Sequence, residues 1–503
     1  MRLKNVFRNS FFSMLSQIVL IVVGFFSQRV MNLRMGEELV GMNGVFSNVI
    51  AILSVSELGI STAVVYHLYK ALAEKNESEI AALMNLYRKA YYIFAAVITA
   101  LGIAVLPVVH YFLKENSFTL GYIRIVFFLW LARTVLSYLL SYRRSILIAD
   151  QREYIVSIVT LTANVLNYLS VIIILELIQN YILVLLINIF VEAVLNIWIS
   201  CYVNRAYPFL KKMYKKPLQK QTISKIAGDI KNIFVTRFSA KILLSTDNLI
   251  ISGFINVATV GLYSNYCLIT NSVINVLVAL SNAIQPSVGN MFIEGDNEKN
   301  YRVLRQLTFV FFLLAGFAAV SLFCLITPFV TDLWLGEKYR MDMFITMWLV
   351  MNCFIQILGM PLSVMMGVTG LFQKERNLSV IAAAANLAVS LALVKPFGVS
   401  GVLAGTFVSY IIQLLFRIRV FFYEYLKMDC KKYIADLIQY GVLSILEIAG
   451  IYVITANIYR QKNMLSFFAI FFLCIFLPNF INSVIYIKSW RFKSIVSLIK
   501  GIK

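Results

Sequence analysis

A chain of 503 residues that is 60% hydrophobic and only 14% charged is no soluble globule, where about a quarter of residues are charged. Its mean hydropathy of +0.81 points instead to an all-α integral membrane protein. The net charge of +21 raises nucleic acid as a partner, but the distribution of the basic residues along the chain excludes it.

Apolar stretches of about 20 residues, enough to cross roughly 30 Å of hydrocarbon, recur from end to end. Fourteen spans are predicted, at 10–32, 39–66, 83–111, 121–142, 154–177, 181–203, 227–254, 260–286, 306–330, 343–367, 378–395, 399–423, 435–457 and 464–487. Arg2, Lys4 and Arg8 precede the first, which lacks a small-x-small cleavage site and reads as a retained helix. With the N-terminus in the cytoplasm and the loops alternating, 32 of the 45 lysines and arginines fall on cytoplasmic ends, 9 on outer ends and 4 inside spans. That asymmetry follows the positive-inside rule, so both termini are expected in the cytoplasm. The basic excess is mostly topology.

An internal repeat is visible. Gln151-Arg152-Glu153 and Ala163-Asn164-Val165 return at an offset of 222 as Gln373-Lys374-Glu375 and Ala385-Asn386-Leu387. Near offset 220, Val40-Gly41-Met42 matches Val260-Gly261-Leu262. The expected organisation is an N-terminal six-helix lobe at 1–204, a basic cytoplasmic linker at 205–226, and a second six-helix lobe at 227–427. Two extra helices and a basic tail complete it at 428–503. Six is even, so the lobes would be parallel repeats around a central cavity.

The four intramembrane cations are Arg133, Lys231, Arg237 and Lys241. A cation at bilayer depth costs at least about 2.5–3.5 kcal/mol, so such residues face a wet interior or a partner. Arg237 and Lys241 are four apart and share a helix face, with Asp247 near the same edge. Together with Arg133 they form a candidate cationic cavity for a phosphate or pyrophosphate, which Arg matches bidentately. The alternative is internal pairing, Arg237 with Asp247, or Arg133 with Glu57 or Glu192. Glu57, Glu192 and Asp247 are candidates for ion coupling or for this charge pairing. Glu447 lies outside the paired halves, and Lys231 is expected to snorkel to the interface. Six scattered cysteines and two isolated histidines imply neither disulfide nor metal, and no cofactor is expected. No GxxxxGK[ST] is present. Outer loops of only 5–15 residues argue against a polytopic glycosyltransferase or polymerase.

Two runs resemble a known family. Leu39-Val40-Gly41-Met42-Asn43-Gly44-Val45-Phe46 with Leu53-Ser54-Val55-Ser56-Glu57-Leu58-Gly59-Ile60 is similar to the start of bacterial polysaccharide flippases. So is Ser245-Thr246-Asp247-Asn248-Leu249-Ile250-Ile251-Ser252 with Val260-Gly261-Leu262-Tyr263-Ser264-Asn265-Tyr266. These belong to the polysaccharide-transport branch of the multidrug/oligosaccharidyl-lipid/polysaccharide exporter superfamily. The resemblance implies alternating-access transfer of undecaprenyl-pyrophosphate-linked oligosaccharide to the outer leaflet of the bacterial cytoplasmic membrane, for capsule, exopolysaccharide or O-antigen synthesis. It implies the lipid-linked substrate, the bilayer, and a polymerase with other assembly proteins as partners. The competing expectation is a cation-coupled multidrug exporter of the same superfamily, which would favour an acidic interior. Four intramembrane bases against Glu57, Glu192, Asp247 and Glu447 do not show that excess.

Overall fold

The computed structural model describes residues 2–54, 60–210, 245–293, 296–459 and 464–494. Among them, eleven helices are long and apolar enough to cross a membrane, and the chain is a multi-pass membrane protein. Contacts divide it into two compact units, Met1–Gly261 and Leu262–Lys503.

The first unit contains α1 (Arg2–Leu53), α2 (Ile60–Ala73), α3 (Glu77–Val105), α4 (Leu120–Ser141), α5 (Arg144–Ala149), α6 (Glu153–Leu177) and α7 (Tyr181–Ala206). Helical residues 245–254 form α8. The first predicted span and the first part of the second are the two arms of α1, broken at Gly36 (φ +80°, ψ 173°), and the second span's last residues, 60–66, fall in α2. Glycine adopts that backbone freely, and a side chain there would be strained. Short polar residues start the later helices: Asn76, Thr119 and Asn180 each accept a backbone N–H from the first turn. α1 packs on α6, α6 on α7, and α7 on α4.

α9 (Val257–Ile293) starts in this unit against α1. A Cβ on Gly41 would run into the Val257 carbonyl, and one on Gly261 into the Glu37 carbonyl. The two glycines matched by the repeat therefore meet in one backbone-to-backbone crossing, a familiar use of small residues in membranes. Gly41→Ala should lower the melting temperature of the purified protein, because overpacking of this kind costs about 1–3 kcal/mol. An unchanged melting temperature would show that the crossing opens freely.

The second unit holds α10 (Asn297–Pro328), α11 (Met343–Val368), α12 (Glu375–Arg419), α13 (Lys431–Ile458) and α14 (Met464–Tyr486). α12 merges predicted spans eleven and twelve, with a break at Gly398 (φ +57°). Its arms fold together where Gly401 and Gly405 leave room for the Leu393 carbonyl and the Ser390 hydroxyl. Asn386 donates to Thr406 (3.0 Å) and Ser390 to the Val402 carbonyl (3.1 Å), pinning the arms. Two broken helices thus carry most of four predicted spans. The remaining one, 227–254, lies outside the described residues except for α8.

The last two helices are part of the core. α13 and α14 pack against α10, and Phe312 stacks on Tyr440 at 4.1 Å with Phe309 and Tyr486 around them. Their opposite faces expose Ile438, Val442, Ile445, Leu465, Phe476 and Phe480, a surface suited to lipid and to little else.

The second repeat motif occupies equivalent turns. In the first unit Arg152 contacts Asp150 (3.0 Å), which accepts from the Tyr207 hydroxyl (2.6 Å). Burial and that carboxylate both push the Tyr207 hydroxyl up, so it stays a donor. In the second unit Lys374 pairs with Glu424 at the end of the second arm. In the first unit Asp150 makes the tie beyond the turn, and in the second Lys374 makes it.

Candidate functional site

α7 carries a polar stripe through an otherwise apolar helix. Asn188, Glu192, Asn196 and Ser200 are spaced four apart and share one face. Their partners come from α6, from α4 and from the start of α5. The Ser170 hydroxyl on α6 donates to Asn188 (2.7 Å), and Arg133 on α4 lies 3.5 Å from Glu192. Arg144 donates to Asn196 (2.7 Å) and Arg143 to the Ser200 carbonyl (2.9 Å). Burial pulls the Arg144 guanidinium down, and the Glu192 carboxylate opposes that shift, so Glu192 acts on two arginines. The Tyr181 hydroxyl donates to Asn43 on α1 (2.8 Å).

Of the residues predicted from sequence, the structure brings Arg133 and Glu192 together. Arg133–Glu192 is one of the two pairings left open; the other candidate, Glu57, lies outside the described residues. Neither side chain is sealed off: 27% of Arg133 and 17% of Glu192 stay exposed. Asp247 lies partly buried on α8. Arg237, Lys241, Lys231 and Glu57 lie outside the described residues. Arg143, Arg144 and the α7 stripe were not singled out from sequence, although the four-residue polar period was there to be read.

Glu447 on α13 is buried, with 4% exposure. Its Oε1 accepts from Asn482 on α14 (2.7 Å). Oε2 has no partner among the described residues, nor do the Ser444 and Tyr486 hydroxyls. Gly316 on α10 makes the room: a Cβ there would stand 3.3 Å from Ser444 Oγ and 3.6 Å from Glu447 Oε2. Glu447→Gln keeps both the shape and the bond to Asn482 and should melt within a few degrees of wild type. Glu447→Ala leaves a cavity and an unpaired amide, costing about 2–4 kcal/mol. Equal melting of the two variants would remove Glu447 from the core's account.

Nearer the basic end of α10 is a second cluster. Arg305 donates to Asp436 (2.8 Å), Arg491 donates to the other oxygen of the same carboxylate (2.7 Å), and Arg491 also reaches the Tyr440 hydroxyl. No group of three or more potential metal ligands occurs among the described residues.

No family model and no curated protein matches the chain. Solved structures do. The lipid II flippase MurJ in an inward closed conformation aligns with a TM-score of 0.70 over 95% of this chain and 99% of its own, at 14% identity. An inward-facing multidrug resistance MATE transporter of the MOP superfamily aligns at 0.67 over 83% and 99%, also at 14% identity. A MOP superfamily transporter from Pyrococcus furiosus, described as having a binding pocket of reversed polarity, aligns at 0.56 over 85% and 97%, at 16% identity. These neighbours are a flippase and transporters, and the chain has the fold they share.

Proposed function

We propose that the protein is a flippase, moving undecaprenyl-pyrophosphate-linked oligosaccharide from the inner to the outer leaflet of the bacterial cytoplasmic membrane by alternating access. The product would enter capsule, exopolysaccharide or O-antigen synthesis, and both termini would be cytoplasmic. One observation carries the choice. The flippase neighbour aligns over 95% of the chain, the inward-facing MATE transporter over 83% and the Pyrococcus furiosus transporter over 85%. The difference is about the size of α13 and α14, of 28 and 23 residues. On this reading the two extra helices would be what distinguishes a transporter of lipid-linked head groups from a drug exporter.

Lobes 1–204 and 227–427 would carry the transport cycle. Arg237 and Lys241 would hold the pyrophosphate, with Arg133 contributing from the first half. Glu57 and Asp247 would serve ion coupling or charge balance, and Glu192 keeps Arg133 oriented. Arg133→Gln should reduce surface polymer about tenfold at equal membrane abundance, as expected for one charge-assisted bond to phosphate. Adding Glu192→Gln should not restore it. Recovery in the double variant would make the pair purely structural.

The test of function is deletion of the gene in its own host. Undecaprenyl-linked repeat units should accumulate and surface polymer should disappear. Unchanged polymer together with sensitivity to cationic drugs would establish the exporter instead.

A further inference from the structure

α10 does not pass directly into a loop. It runs through a π-helical turn, Phe329–Trp334, a bend at Gly336 (φ +110°) and a 3₁₀ turn, Glu337–Tyr339, before Asp342 caps α11. Single π turns inside α-helices re-aim side chains and recur at functional sites. Here the turn, the start of α11 and the end of α13 enclose a cavity of about 450 Å³. It lies at the end of α10 opposite Lys299, Arg302 and Arg305, about 48 Å along the helix. The volume falls in the range of small-molecule sites, about 300–1,000 Å³.

The lining has an unusual mixture for a membrane protein: Asp332, Arg340, Asp342, Thr346, Tyr452 and Tyr459. The Tyr459 hydroxyl donates to Asp332 Oδ2 (2.7 Å). Asp342 Oδ1 accepts the Phe344 N–H (2.7 Å). Arg340 is held by Glu337 through two bonds of 2.6 and 3.0 Å. Each carboxylate has a second oxygen and the guanidinium a further nitrogen beyond those so used.

A metal ion would ask for acceptors alone, and an anion for donors with net positive charge. This site offers both kinds at once. Two carboxylates accept, a guanidinium donates, the Tyr459 oxygen accepts because its proton is spent on Asp332, and a threonine does either. Aromatic rings supply an apolar wall. Sugar hydroxyls donate and accept at the same atom, and a pyranose has an apolar face for such a wall. The two carboxylates also disfavour an acidic sugar, because the one guanidinium is already engaged by Glu337.

We propose that this cavity binds a neutral sugar residue. It would then hold part of the transported head group at a place separate from the cationic residues that take the pyrophosphate. The physiological ligand so assigned rests on the flippase reading, whereas saccharide binding by the cavity does not.

The test is saturation-transfer NMR on the full chain in lipid nanodiscs. The probes are the methyl glycosides of glucose, galactose and N-acetylglucosamine, with glucuronate and tetramethylammonium alongside. At least one neutral glycoside should receive saturation, and Asp332→Asn and Thr346→Val should each weaken its binding about tenfold. If Asp332→Asn does not fold, Thr346→Val decides. Absence of transfer to every neutral glycoside, equal transfer in wild type and Thr346→Val, or displacement by tetramethylammonium would overturn the proposal. Arg237→Gln should leave this binding intact. Glycoside binding by wild-type protein that is shown not to flip lipid-linked oligosaccharide would refute the function and keep the site.

Discussion

Replacing Arg237 or Lys241 with Gln should abolish surface polysaccharide while leaving the protein in the membrane. The two residues are four apart, a spacing that on a helix would put both charges on one face. A charge-assisted bond is worth about 1.5–3 kcal/mol, or about ten- to a hundredfold in transport for each residue lost. Their joint removal should take transport below detection. Asp247 lies six residues beyond Lys241 and opposes them only partly. Arg237→Lys should recover part of the activity, because charge remains and the bidentate geometry does not. Polymer at wild-type levels in Arg237→Gln and Lys241→Gln would end the pyrophosphate-site account. Protein lost from the membrane would instead indicate internal pairing, which the levels of Asp247→Asn would then reveal.

The second large effect is on stability. Asp436→Asn should lower the melting temperature by about 3–5 °C, since breaking a buried ion pair from one side costs about 3–5 kcal/mol. The carboxylate is bound on both oxygens by Arg305 and Arg491, whose side chains are 17% and 10% exposed. Neutralising it leaves two guanidinium groups facing each other across an amide. Arg491 precedes the tail and also bonds Tyr440, so the substitution should expose the region after 488 to protease as well. Arg305→Gln should cost less than Asp436→Asn, because Arg491 then still meets its acceptor. The opposite order would mean that the cluster is not organised around the carboxylate. Melting curves of the two variants settle it.

Much of the fold was legible because membranes permit few solutions. Backbone polar groups must be satisfied within each segment, so runs of apolar residues mean helices. The repeat motifs were informative for the same reason: Gly41 and Gly261 meet at a crossing, and Arg152 and Lys374 sit in equivalent turns. Spans one and two, and spans eleven and twelve, read as separate helices, and the chain does break between them, at Gly36 and at Gly398.

The site was legible in outline only. A charge at bilayer depth is conspicuous in sequence, but its partner is not. Glu192 joins Arg133 from 59 residues away, and Asp436 joins Arg305 from 131. Asn188, Glu192, Asn196 and Ser200 were readable as a stripe, yet polar residues without charge draw little attention in an apolar helix. Glu447 stood out, whereas Gly316 and Asn482, which make its burial possible, are ordinary until the helices are packed. The cavity beside Asp332 was invisible for another reason: a π turn positions its residues, and no spacing rule for regular helices predicts one.

The central claim is leaflet transfer of a lipid-linked oligosaccharide, and proteoliposomes test it most directly. Vesicles carrying a labelled undecaprenyl-pyrophosphate oligosaccharide in both leaflets are treated from outside with a glycosidase. Wild-type protein should let the enzyme consume the protected inner pool, and Arg237→Gln should leave that pool intact. An inner pool that remains protected with wild-type protein, in vesicles that transport ethidium, would contradict the account.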